Sequence, residues 1–81
     1  MRLPRDIGGI ELARRLEPYG YRVTRQTGSH LRLTTTLHGE HHITIPAHKD
    51  LRVGTLNAIL TDVADHLKID RDVLLTALFE K

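Results

Sequence analysis

An 81-residue chain with 40% apolar and 27% charged residues has room for one modest hydrophobic core, burying roughly 60–65% of its unfolded surface. It contains no cysteine and no tryptophan, which excludes disulfides and thiolate zinc sites. Net charge is +2 but uneven: residues 1–52 hold nine Lys/Arg against five Asp/Glu, and residues 53–81 hold three against five, so a polyanion would meet the first part of the chain.

Met1 to Asp6 reads as a short arm carrying Arg2 and Arg5, kept extended by Pro4. It has no apolar leader, and no later window approaches a membrane span, so a cytoplasmic protein without a membrane partner is expected. Gly8-Gly9 breaks the chain, and a helix of about Gly9 to Glu17 follows, with Gly8 or Asp6 as N-cap. Leu12, Ala13 and Leu16 form its narrow apolar stripe. Pro18 and Gly20 end it.

Tyr21 to Thr27 reads as a strand, with Tyr21 and Val23 on one face and Arg22, Thr24 and Gln26 on the other. Gly28-Ser29 makes a turn. His30 to Thr36 is the second strand, with Leu31, Leu33 and Thr35 inward and His30, Arg32 and Thr34 outward. Leu37 to Glu40 closes a hairpin. His41 to Pro46 is the third strand, with Ile43 and Ile45 inward and His42 and Thr44 outward; Pro46 ends it because it cannot donate to a ladder. A polar loop, Ala47 to Val53, carries His48, Lys49 and Arg52.

Gly54-Thr55 opens the strongest helical pattern, with Thr55 as N-cap and Leu56, Ile59, Leu60, Val63 and Leu67 as a core stripe. Asp70 caps a last helix, where Val73, Leu74, Ala77 and Leu78 line one side and Leu75 and Phe79 lie off it. The order α-β-β-β-α plus a terminal helix predicts an α+β fold: a three-stranded antiparallel meander with helices on one face and the other face in solvent. By strand parity the open face carries Arg22, Thr24, Gln26, His30, Arg32, Thr34, His42 and Thr44.

Three constellations on this frame bear on chemistry. His30 follows a Gly-Ser turn, with Arg25 and Arg32 close in sequence. A histidine both accepts and donates a proton near neutral pH, and RNA cleavage needs such a group plus cations around the phosphorane, without a metal. A polar residue at a strand start is the plainer reading of a lone histidine. The loop His48-Lys49 leading to Gly54-Thr55 combines charge with a helix N-terminus, a setting that attracts phosphate; a surface loop with an ordinary cap is the slightly plainer reading. His48 reads as a second acid/base, a phosphate ligand or a loop residue. His38, His41 and His42 raise the question of zinc: His41 and His42 point to opposite faces, His38 could share an ion with His42, but no Asp or Cys completes a set, and hairpin surface is the plainer role. No metal and no cofactor are expected. Ser29 lacks an orienting carboxylate and a nucleophile-elbow motif, so a serine hydrolase is rejected.

The ordered series Leu12-Ala13-Arg14-Arg15-Leu16, Tyr19-Gly20-Tyr21, Arg25-Gln26-Thr27-Gly28-Ser29-His30, Ile43-Thr44-Ile45-Pro46-Ala47-His48 and Gly54-Thr55-Leu56-Asn57-Ala58-Ile59-Leu60 resembles the HicA toxin family. The match covers about residues 6–66. It implies one domain over residues 1–81, with a core of about 6–66 and a helical extension of about 67–81. It also implies a fold similar to the double-stranded-RNA-binding domain, and an mRNA interferase: a toxin that cleaves mRNA without metal and is covered by a HicB-type antitoxin. The family's catalytic histidine falls on His30. Arg25, Ser29, Arg32, His48, Lys49 and Thr55 are the candidate substrate-binding residues by position. A homodimer and a toxin–antitoxin hetero-oligomer are both compatible with the pattern. The competing expectation is a non-catalytic RNA-binding module of the same fold.

Overall fold

Alternation of aliphatic and polar residues builds the sheet, and the helical stripes cover it. A computed structural model describes residues 3–79. Its elements are α1 (Gly9–Arg15), a single 3-10 turn (Glu17–Tyr19), β1 (Arg22–Thr27), β2 (His30–Thr35), β3 (His41–Pro46), α2 (Val53–Leu67) and α3 (Arg71–Phe79). The strands lie antiparallel in the order β1-β2-β3. Leu31, Leu33, Ile43 and Ile45 meet Leu12, Leu16, Leu56, Leu60 and Val63 in one core, as the α+β reading expects. Gly20 adopts the left-handed conformation (φ 84°) that lets the chain turn from the 3-10 turn into the sheet.

Four local expectations need correction. The segment before α1 is not a free arm over its described part: Leu3 packs against the core, Ile7 is buried, and the Ile7 carbonyl accepts from the Leu51 amide at 2.8 Å. Met1 and Arg2 lie outside the described residues. Second, α2 starts at Val53 with Arg52 as N-cap, and no side chain caps it. Leu51, buried and tied to Ile7, turns the chain into the helix before Thr55 is reached, so Thr55 sits in the first turn and is not the cap. Third, α3 buries Leu74, Leu75 and Leu78, while Val73 and Ala77 face solvent. The Asp70 carboxylate does accept from the Asp72 amide at 2.8 Å, as an N-terminal cap should. Docking against α2 selects a stripe rotated from the one the spacing suggested.

The fourth correction concerns β1. The register runs Arg22↔Thr34 and Val23↔Leu33, then resumes at Arg25↔Arg32, Gln26↔Leu31 and Thr27↔His30. Thr24 is therefore the extra residue of a β-bulge, and such a bulge reverses the parity of everything after it. Arg25 moves to the open face and Gln26 to the helical side. The helices cover β2 and β3 but leave all six residues of β1 exposed.

One polar cluster joins the opposite end of the sheet to α2. The Tyr21 side chain is wholly buried and its hydroxyl donates to His41 Nδ1 at 2.7 Å. His41 Nε2 in turn donates to Asp62 Oδ1 at 3.1 Å. The His66 ring stacks on His41, with centroids 4.3 Å apart, and its Nε2 donates to the Leu37 carbonyl. The acceptor-only partners set both tautomers. His41 is thus a partly buried link between β3 and α2 rather than plain hairpin surface.

Burial, and secondarily the negative charge of Asp62, push the Tyr21 phenol up to about 12. The folded state then holds this proton more tightly than the unfolded state, whose phenol titrates near 10. The contribution is complete below pH 10 and is lost as pH rises towards 12. Urea unfolding of the wild type should show stability falling across that window, and Tyr21→Phe should flatten the fall. At neutral pH the same variant should lose about 1 kcal/mol, because His41 Nδ1 loses its donor.

Candidate functional site

Two glycines bring the ends of the sheet and the first helix together. A Cβ on Gly9 would lie 1.9 Å from the Pro46 carbonyl oxygen, and one on Gly8 would lie 2.6 Å from that of Lys49. Only glycine permits this backbone approach. It allows the Gly9 amide to donate to the His48 carbonyl at 3.0 Å, while the Ala47 amide donates to the Ser29 carbonyl at 2.6 Å. The Gly28-Ser29 turn, the start of β2, the 46–49 loop and the N-terminus of α1 form one connected corner. Gly28 takes φ 56° there, with open space around it.

His30 stands at this corner on the open face. It is exposed, and among the described residues its ring has no hydrogen bond or ion pair. Register arranges the open face in rungs across the three strands. The first is Thr27–His30–Pro46, the second Arg25–Arg32–Thr44, and the third Arg22–Thr34–His42. In the third rung the Thr34 hydroxyl donates to His42 Nδ1 at 2.8 Å, and His42 Nε2 donates to Glu40 Oε2 at 2.6 Å. Thr24, in the bulge, lies 3.0 Å from the Thr34 hydroxyl.

The second rung is electrostatically unfavourable. Like charges directly opposite each other on one face repel. Arg25 and Arg32 face each other with no acidic partner among the described residues, and Arg22 also has none. The arrangement suits an anion lying between the guanidiniums, which bind phosphate oxygens in a bidentate way.

Among the residues singled out in the sequence, Ser29, His30, Arg25 and Arg32 share the turn and the two rungs beside it. His48 and Lys49 are exposed on the loop bonded to that turn. Thr55 is half-buried in the first turn of α2, and no hydrogen bond joins it to this corner. Arg22 belongs to the same cationic face. Gln26, expected there, does not. His38 sits in a turn at φ 59°, and His42 is already engaged by Thr34 and Glu40. No three metal-ligating side chains converge among the described residues, and no helix among them is long and apolar enough to cross a membrane.

The element order and the one-sided helical layer define a small α+β domain resembling the double-stranded-RNA-binding fold, with an exposed histidine beside unpaired arginines on its open sheet face. The family model described as HicA toxin of bacterial toxin-antitoxin matches residues 9–64, and the chain belongs to that family. Membership implies a toxin–antitoxin partner. No curated protein and no solved structure gives a significant match.

The glycine approach makes a sharp prediction. Gly9→Ala should destabilise the fold by about 1–3 kcal/mol, the usual range for forced overpacking, and should shift the amide resonances of Ser29, His30 and Ala47. Gly54→Ala, with nothing within 4 Å of its added Cβ, should be neutral or stabilising by up to about 1 kcal/mol. Thermal unfolding and NMR spectra of the two variants check the contrast.

Proposed function

We propose that this chain is the toxin of a type II toxin–antitoxin pair and acts as a metal-independent endoribonuclease on mRNA in the cytoplasm. His30 is the catalytic residue, and a HicB-type antitoxin neutralises it. The observation that carries this reading is the Arg25–Arg32 rung. Two facing arginines without an acid have a physical use once a phosphate lies between them, and His30 stands on the same face one rung away. Family membership supports the toxin assignment.

In this mechanism His30 takes the proton from a ribose 2′-hydroxyl, whose oxygen attacks the adjacent phosphorus. The bond to the 5′-oxygen breaks, leaving a cyclic phosphate and a 5′-hydroxyl. Arg25 and Arg32 neutralise the charge that develops on the phosphorane oxygens. Ser29 offers a hydroxyl beside the scissile phosphate. His48 is the candidate donor to the leaving oxygen, and Lys49 attracts the next phosphate. Thr55 lies outside this set.

One observation favours a second reading, a non-catalytic RNA-binding module. Among the described residues no side chain orients the His30 ring, whereas a general base is usually held by a partner. Induction of wild type and His30→Ala in cells separates the two. Growth arrest and transcript cleavage by the wild type alone, undiminished by chelator in the purified reaction, is the expected result. Equal arrest by both proteins would remove His30 from catalysis, and no cleavage by either would favour the binding module.

The arginine rung has its own signature. Arg25→Gln with Arg32→Gln should raise stability by a few tenths of a kcal/mol, because repulsion is relieved. The same double variant should bind RNA more weakly, with a shallower dependence on salt, since each phosphate contact adds to that slope. Calorimetric unfolding and oligonucleotide titrations at two or three salt concentrations measure both effects.

A further inference from the structure

β1 is an edge strand whose underside is bare. The helices sit over β2 and β3, so β1 and the flank of α1 enclose a groove of about 360 Å³ lined by Ile10, Ala13, Tyr21, Val23, Gln26 and Leu31. Ile10 is 55% and Val23 49% exposed, although both belong to structured elements. Among the described residues no strand lies outside β1, and no backbone group bonds to its outer edge. An unpaired edge can accept a further strand, and the bulge and the arginines of β1 restrict which strand that is.

We propose that β1 receives an extended segment of a protein partner in which apolar and acidic residues alternate. The pleat dictates that chemistry. Residues of an added strand that stand beside Val23 and Gln26 point into the groove and must be apolar. Residues that stand beside Arg22 and Arg25 emerge on the open face and meet guanidiniums that have no acidic partner among the described residues. Arg14 adds a further positive charge on the helical rim, against Glu17. A second copy of this chain is a poor occupant, since pairing β1 with itself would set Arg22 and Arg25 against their own copies. Occupancy would also neutralise the open face without contact to His30. The inference stands whether or not His30 cleaves RNA.

The test uses the full-length, ¹⁵N-labelled protein and a short synthetic peptide alternating valine and glutamate, added to millimolar concentration. The expected result is shifted resonances for Ile10, Ala13 and Arg22–Thr27, with slowed hydrogen exchange at alternate β1 amides. Val23→Glu and, independently, Ile10→Glu should weaken binding roughly tenfold while leaving oligonucleotide binding unchanged. Both side chains are about half exposed, so Ile10→Glu, on the helix surface, serves if Val23→Glu perturbs the sheet. A lysine-for-glutamate peptide should not bind. Four results would overturn the proposal: no perturbation at millimolar peptide, equal binding of the lysine peptide, shifts in the groove without protection of β1 amides, or protection of β1 in a peptide-free dimer.

Discussion

The backbone contact between Gly9 and Pro46 is the constraint on which the site depends. It presses the N-terminus of α1 onto the end of β3, so that the Gly9 amide reaches the His48 carbonyl and the Ala47 amide extends the ladder to Ser29. The β2–β3 ladder already sets His30 opposite Pro46, and the glycine contact ties the loop that continues from Pro46 through His48 to the start of α1.

The open face is organised by a different physical term. An extra residue at Thr24 moves Arg25 opposite Arg32, and the fold tolerates a repulsion that a binding surface can use. In the proposed reading, stability and function pull in opposite directions at this rung, as they commonly do where charge is held ready for a ligand. The bulge serves the edge as well. It turns Gln26 to the groove side beside Val23, so one irregularity shapes both the cationic face and the groove under the edge.

At the far end, Tyr21, His41 and Asp62 solve the problem of closing a core with few aromatics. The phenol fills core volume, and its hydroxyl is satisfied by His41, which Asp62 and the stacked His66 hold in place. A buried polar group costs little when every member of its chain has a partner. This cluster fastens α2 to the sheet and leaves the histidine at position 30 free of structural duty.

Much of this was legible in the residues alone. Period-two alternation at Leu31, Leu33, Ile43 and Ile45, and the stripe from Leu56 to Leu67, determined the element order and the one-sided helical cover, because each pattern can bury its apolar face in only one way. The same alternation placed His30 with Arg32 in solvent. Tertiary structure decided the rest. The bulge at Thr24 arises from how β1 pairs with β2, and it exchanged Arg25 for Gln26 on the open face. The start of α2 was set by Leu51 docking beside Ile7, which Thr55 could not signal. The stripe of α3 was chosen by the surface it met on α2, and the Tyr21–His41–Asp62 chain joins residues far apart in sequence. Local patterns report which side of an element is apolar; register, docking angle and the partners of polar side chains exist only once the elements are packed together.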